Sequence, residues 1–276
     1  MAYSPGATVM NKFLLAAIAA FAALAAGPAS AADISVPPYR PPPAPVSVPA
    51  PIHNWTGLYL GGAFGYGLWD ADTSLLFPTG AFPPTSPLNS GGRGWAGQVL
   101  GGYDYQFAIM NFNLVAGVFG DYSFANIKGN LDTGTVTAVA INPIGGSEKE
   151  KSYWDVGGRF GVLMTPQILT YWNAGYTGAR FDGVNLINFG PAIPPGPMSI
   201  AAHNYHGWFT GGGVETQVTS IPGLFFNTEY RYASYSSATL PIANATANFG
   251  LPVSLKFEPH VQTVMSGVRY KFNWPQ

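Results

Sequence analysis

Five carboxylates and five cations of this sequence stand in segments where polar or charged residues alternate with apolar and aromatic ones. In LFFNTEYRY (residues 224–232), Glu229 and Arg231 would share one face of a strand, while the aromatic residues share the other. Because a charge removed from water needs a partner of opposite sign, we expect ion pairs in a common interior. The ten candidates are Asp104, Asp121, Asp155, Glu215, Glu229, Arg159, Arg180, Arg231, Arg269 and Lys271.

Such an interior allows two functions. The nearly balanced charges favour a structural network of ion pairs that fills the interior. The alternative is a narrow path for ions or water that opens when one ion pair breaks.

The histidines form a second candidate site. His203 and His206 have a spacing that suits a metal ion on a helix, but on a strand they point to opposite faces. A polar rim is the favoured interpretation, and haem or metal contact is the alternative. A lipid-modifying enzyme would need a Ser or His nucleophile with a base and an orienting acid, and the sequence around the histidines has no such pattern. We therefore expect no catalytic residue, no metal ligand and no cofactor.

The segments that carry the charges are inverted relative to strands of a soluble protein. In VQTVMSGVRYKF (residues 261–272), Val264, Val268 and Tyr270 share one face, and Arg269 and Lys271 share the other. This arrangement fits a sheet with lipid outside and a polar interior. Since no water satisfies the backbone inside a bilayer, such a sheet must close on itself. The sequence predicts an all-β, antiparallel up-and-down transmembrane barrel.

About eight segments have this character, each near the roughly 9 to 11 residues that a tilted membrane strand needs. The fifth (169–181) has aromatic residues on both faces, and only an inward Arg180 orients it. Tight connections alternate with long ones, as in outer-membrane barrels with short periplasmic turns and long extracellular loops. The long connections are 70–93, 128–150, 182–203 and 237–259. Aromatic girdles are expected from Tyr103, Tyr105, Phe107, Tyr230, Tyr232, Tyr270 and Phe272.

Three regions are predicted along the chain. Residues 1–32 have one cation, an apolar run and a small-residue cleavage site at Ala29 and Ala31, which together indicate a signal helix. Residues 33–54 are rich in proline and form a linker, either a plain spacer or a tether to a periplasmic partner. Residues 55–276 form the barrel.

The composition narrows the classes of function. The chain has no cysteine, which removes disulfides, thiol catalysis and Cys-ligated metals. The formal net charge of −1 gives no electrostatic footprint for a nucleic acid. With 9% charged and 14% aromatic residues, the chain lacks the composition of a disordered protein.

Two stretches also resemble a known family. NWTGLYLGGAFGYG (residues 54–67) and the closing GVRYKF are similar to the start and end of small alphaproteobacterial outer-membrane β-barrel proteins, which are often named porin-family surface antigens. The resemblance implies the eight-stranded architecture of the outer-membrane protein A barrel. It also implies that the assembly machinery recognises Gly267, Tyr270 and Phe272, although four residues follow here. Outer-membrane lipid, peptidoglycan and a host surface are the other partners that it suggests.

We carry four hypotheses forward. The first is a structural or surface barrel that displays its loops. The second is a channel for small solutes, and the third is a lipid-modifying enzyme. The fourth is a soluble barrel of the lipocalin type, which would need an apolar interior and a charged exterior.

Overall fold

The computed structural model describes residues 54–78, 88–132, 144–188 and 197–272. The predicted signal helix with Ala29 and Ala31, nearly all of the linker and the tail 273–276 lie outside these ranges. The described residues form eleven strands, along which side chains point alternately inward and outward. They are β1 (Gly57–Leu76), β2 (Leu88–Ile109), β3 (Phe112–Asp132), β4 (Ile144–Thr165), β5 (Ile168–Phe181), β6 (Val184–Asn188), β7 (Met198–Ile200), β8 (His203–Gln217), β9 (Leu224–Tyr235), β10 (Ala238–Pro241) and β11 (Ser254–Phe272).

Eight of the described strands close into one antiparallel ring. The order around the ring is β1, β2, β3, β4, β5, β8, β9 and β11. The ring closes where β1 pairs with β11, from Leu58 opposite Phe272 to Leu76 opposite Ser254. This arrangement confirms the predicted up-and-down barrel of about eight strands.

The two ends of the barrel differ in their connections. At one end, here called the turn end, neighbouring strands are joined by tight turns, two of which use left-handed backbone at Met110 (φ 53) and Gly223 (φ 82). At the other, the loop end, β6 and β7 pair as a hairpin and a short helix, α1 (Ala245–Phe249), follows β10. The chain therefore enters and leaves the ring at the turn end. Within the described residues, no helix is long and apolar enough to cross a membrane.

The described parts of the predicted long loops are mostly strand. β1 to β4 have 20 to 22 residues each, about twice the predicted length, so residues 70–76, 88–93 and 144–150 extend the sheet. The prediction failed because strand pairing continues beyond the segment that lipid requires. At the loop end this extension encloses part of the larger buried apolar cluster, and the residues there are Leu75, Leu131, Val184, Leu186, Met198, Ile200, Ile242, Val253 and Leu255.

Glycines make room for large side chains inside the ring. A Cβ atom added to Gly117 would lie 2.2 Å from Oδ1 of Asp104, and one added to Gly213 would lie 2.8 Å from the Tyr171 hydroxyl. Both positions face inward, where a narrow barrel can hold big polar groups only beside small ones.

Candidate functional site: the filled lumen

Nine of the ten predicted charges lie inside the ring and are buried, with at most 8% of any residue exposed. Six strands, β2, β3, β4, β8, β9 and β11, supply them, so the site exists only when the barrel is closed. Alternation places each of them on the inner face, between outward apolar neighbours. The nine are Asp104, Asp121, Asp155, Arg159, Glu215, Glu229, Arg231, Arg269 and Lys271.

Arg180 is the exception, and its predicted inward position is wrong. On β5 the inner face carries Tyr171, Asn173 and Thr177, whereas Trp172 and Arg180 point outward and are exposed. Arg180 lies near the loop-end limit of β5, beyond the outward aromatics, and can therefore face water there.

Toward the turn end, three cations surround two carboxylates in what we call the turn-side cluster. Arg159 donates from Nε to Asp104 (2.8 Å) and from Nη1 to Glu215 (2.8 Å). Lys271 lies 2.7 Å from Asp104 and 3.3 Å from Glu215. Arg269 donates from Nη1 to Oε2 of Glu215 at 2.7 Å, and Oε2 is also the oxygen that accepts from Arg159. Each carboxylate is thus shared between cations, which compensates for its removal from water.

Toward the loop end the ratio reverses, and one cation meets three carboxylates in the loop-side cluster. Arg231 donates to Glu229 from Nε (2.7 Å), to Asp121 from Nη1 (2.8 Å) and also to Asp155. The two clusters are joined through Arg269 of the turn-side cluster, which lies 3.5 Å from Glu229 and donates to the Tyr171 hydroxyl at 3.4 Å. The Tyr171 hydroxyl in turn donates to Glu229 at 2.7 Å.

An apolar layer closes the lumen beneath the turn-side cluster. Trp55, Val115, Leu169 and Phe225 are all fully buried there. Trp55 donates its indole N–H to the carbonyl of Pro166 at 3.1 Å, which ties the ring to the β4–β5 turn. The Lys271 ammonium lies 4.4 Å from the Trp55 ring, a distance typical of a cation–π contact. Trp55 therefore both covers the opening and faces the buried cation.

A second apolar layer closes the lumen above the loop-side cluster. The Arg231 guanidinium lies over the rings of Phe119 (5.3 Å) and Phe209 (4.8 Å), which contact each other with their centres 6.0 Å apart. Further toward the loop end, Trp69, Phe181, Tyr205 and Phe257 contact one another with ring centres 5.5 to 6.0 Å apart. The charged clusters thus lie between two apolar layers.

We expect Trp55→Ala to lower the free energy of unfolding by about 3 kcal/mol, because it leaves a cavity and exposes Lys271. Denaturant unfolding of the refolded protein in vesicles measures this. Trp208→Ala is the matched control, since that indole is outward and 53% exposed. An equal loss in the two variants would contradict the closing role of Trp55.

The outer surface carries the apolar residues that a soluble protein would bury. A lipid belt of exposed side chains surrounds the ring, and at the loop end it stops at Trp95, Phe124, Trp154, Tyr176 and Trp208. Charges lie inside and apolar groups outside, which excludes a barrel of the lipocalin type. A closed sheet with this inversion is stable only in a membrane that it spans. The chain is an outer-membrane β-barrel. Other belt members are Leu60, Phe64, Val99, Val118, Val156, Phe160, Trp172, Val264 and Val268.

Sequence comparisons yielded no relatives: no protein-family model and no curated protein matches the chain. Among solved structures it is similar to the outer membrane protease OmpT from Escherichia coli, with 8% identity, a TM-score of 0.48, and coverage of 78% of this chain and 97% of that one. It is also similar to Ail, the attachment invasion locus protein of Yersinia pestis (13% identity, TM-score 0.32, coverage 76% and 99%). Neisserial surface protein A gives 14% identity, a TM-score of 0.32, and coverage of 76% and 99%. At these values the similarity carries no argument about function.

Two acidic residues of the lumen lie beyond the belt, in the segment 128–150 that is predicted to be a loop. Glu150 is fully buried on the loop-end side of Trp154, and neither of its carboxylate oxygens has a hydrogen-bond partner among the described residues. Burial, and next the nearby charge of Asp155, raise the pKa of Glu150 to about 8. Burial also raises the pKa of Glu148 to about 8, with Asp182 contributing. A bulge between Glu150 and Ser152 interrupts the alternation of β4. The alternation of residues along the sequence therefore could not predict that Glu148 and Glu150 point into the lumen.

The histidines stand apart from the charged clusters. His206 is exposed and stacks on Tyr176 at 6.0 Å, while His203 is half-buried on the other face beside Tyr205. Opposite faces are what the strand interpretation predicts. In the part of the chain that the structure describes, no three His, Asp or Glu side chains are grouped as a metal ion would require.

The residues of the predicted assembly signal lie at the turn end of β11. Tyr270 and Phe272 face outward, with ring centres 5.1 Å apart. Gly267 faces inward against β1, where a Cβ atom would lie 2.3 Å from the carbonyl oxygen of Gly62. Recognition of these residues by an assembly machinery stays a prediction.

Proposed function

We propose that the protein is a structural barrel of the outer membrane that is closed to solutes, catalyses no reaction and displays its loop end at the cell surface. The observation that carries this proposal is the filling of the lumen. Two ion-pair clusters occupy its middle, and an apolar layer covers each of them. A channel would need both of these layers to be hydrated.

Conductance in planar bilayers tests the proposal. We expect the refolded protein, shown to be folded by its heat-dependent gel mobility, to give no discrete openings. The channel hypothesis predicts openings whose size changes when Arg159 or Glu229 is replaced by Gln. Such openings would overturn the closed barrel and restore the conducting path.

The enzyme hypothesis has a test of its own. Turnover of the acyl chains of lipid A by the refolded protein would contradict the proposed absence of catalysis. The observation that supports the proposed absence is the burial of the apolar residues in both layers, which leaves no exposed site among the described lumen residues.

The finer family and partner assignments are also proposals. The segments 54–67 and 267–272 support membership of the alphaproteobacterial porin-family surface antigens. Gly267, Tyr270 and Phe272 support contact with the barrel-assembly machinery during insertion. Peptidoglycan and a host surface are proposed contacts of the linker and of the loop end, respectively, and pull-down of either by the full chain would support them.

A further inference from the structure

Three cations stand side by side on the outer surface near the loop end. Arg93 on β2 is the cross-strand partner of Lys128 on β3, and Lys128 is the partner of Lys149 on β4. Their strand neighbours Gly94, Ile127 and Glu148 are buried, so all three cations point away from the lumen. We call these residues the basic row. Like charges directly opposite on neighbouring strands destabilise a sheet, so the row needs an explanation.

The described residues supply no counter-ion for the row. The ion pairs on the outer surface join Lys151 to Asp182 and Lys256 to Glu258, each at 3.8 Å. None of the three row cations has a carboxylate within ion-pair distance among the side chains that the structure describes. The sequence of the remaining loop segments 79–87, 133–143 and 189–196 contains no Asp or Glu. The described side chains therefore leave the row open to an anionic ligand from outside the barrel.

A shallow depression lies beside the row. It has a volume of about 400 Å³, and its lining includes Arg93, Lys128, Asn130 and Ser147. Glycines form part of its floor, where β2 and β3 approach closely: a Cβ atom at Gly129 would lie 2.1 Å from the carbonyl oxygen of Gly91. Cations, an amide and a hydroxyl around a small hollow are groups that bind a phosphate.

The position of the row indicates which kind of molecule would carry the phosphate. Arg93 is the next outward residue after Trp95, and Lys128 lies two outward positions beyond Phe124, so both cations follow the aromatic limit of the lipid belt. Lipid headgroups occupy this level, and long cationic side chains reach them while their stems stay on apolar surface. Clustered cations at a membrane surface attract anionic lipid.

We infer that the basic row binds the phosphate groups of lipid in the outer leaflet. A phosphate at the depression would be shared by Arg93 and Lys128, with Lys149 extending the site along the row. Bound lipid would remove the repulsion between the three cations and so stabilise the extended sheet of β2, β3 and β4. This inference goes beyond the proposed structural role, because it assigns a ligand to a surface outside the lumen.

The test compares the heat-modifiable gel transition of the full chain in vesicles of phosphatidylcholine containing lipid A with two phosphates or chemically dephosphorylated lipid A. We expect the wild-type transition to be several degrees higher with the phosphorylated lipid, and the variant R93Q/K128Q/K149Q to lose this difference. In phosphatidylcholine alone the variant should be at least as stable as the wild type, because its repulsion has been relieved. A lower transition temperature for the variant than for the wild type in phosphatidylcholine alone would contradict the inference that the three cations repel one another without a ligand.

The matched control is K151Q/R180Q/K256Q, which removes three outward cations elsewhere. We expect it to keep the response to phosphorylated lipid A. An equal loss in the control would show a general charge effect and overturn the assignment to the row. Inorganic phosphate added to phosphatidylcholine vesicles should leave the transition unchanged. Equal protection by inorganic phosphate would overturn lipid as the ligand.

Discussion

Replacing Arg231 by Met is expected to lower the free energy of unfolding by about 3–5 kcal/mol, the range for breaking a buried ion pair from one side. Arg231 is the one cation of the described residues in contact with Asp121 and Asp155, and it also pairs with Glu229. Removing it leaves buried carboxylates facing one another without compensation. Urea unfolding of the refolded protein in lipid vesicles, followed by gel mobility and tryptophan fluorescence, measures the loss.

Two variants separate the ion pairs from the loss of a long side chain. Arg180→Met removes an exposed arginine from the same barrel and should change the unfolding free energy by no more than about 0.5 kcal/mol. Adding Asp121→Asn and Asp155→Asn to the Arg231 variant should restore much of the stability, because the uncompensated charges disappear. If the Arg231 and Arg180 variants unfold alike, the loop-side cluster contributes nothing to the barrel.

Alternation along the sequence predicts the facing of a strand wherever one face is charged and the other apolar. Glu229 and Arg231 alternate with Phe226, Thr228 and Tyr230, so lipid and lumen sides are unambiguous. The rule that a charge must face inward holds only at the level of the lipid belt. Arg180 lies beyond that level, on a strand with aromatics on both faces, and the rule therefore misplaced it.

The parts of the site that the sequence could not predict depend on contacts between distant strands. Trp55 shares its parity with the inward residues of β1, which is a usable signal, but its contacts with Phe225 and the Pro166 carbonyl require the closed ring. Glu150 had no such signal. Its inward position follows from strand pairing that continues past the membrane and from the bulge before Ser152. A loop and a strand that extends beyond the membrane can have the same amino-acid composition, so composition alone could not distinguish them here.

A buried acid without a partner makes stability depend on pH. Among the residues that the structure describes, Tyr153, Asp155 and Tyr235 are the ionisable groups whose charges couple to Glu150, and none of them is a cation. Its pKa of about 8 in the folded barrel is above the ordinary value of about 4.3 expected in the unfolded chain. The folded state thus holds more protons between these values, and stability falls as pH rises through that window. The stability contributed by protonated Glu150 is complete below the lower pKa and is lost as pH approaches 8.

The difference between the two pKa values of Glu150 corresponds to about 5 kcal/mol, and Glu148 adds to it in the same direction. Glu150→Gln keeps the volume of the side chain and cannot ionise. We expect it to leave stability nearly unchanged at pH 5 and to raise it by several kcal/mol at pH 9, as measured by urea unfolding in vesicles at the two pH values. E148Q/E150Q should flatten the dependence further.

Glu258→Gln is the control for this experiment, because that carboxylate lies on the outer surface beside Lys256 and is 39% exposed in its side chain. It should retain the wild-type fall in stability between pH 5 and pH 9. A Glu150→Gln variant with the same fall would mean that Glu150 ionises without cost. In that case water reaches the lumen above the loop-side cluster, and the apolar layer at the loop end does not seal it.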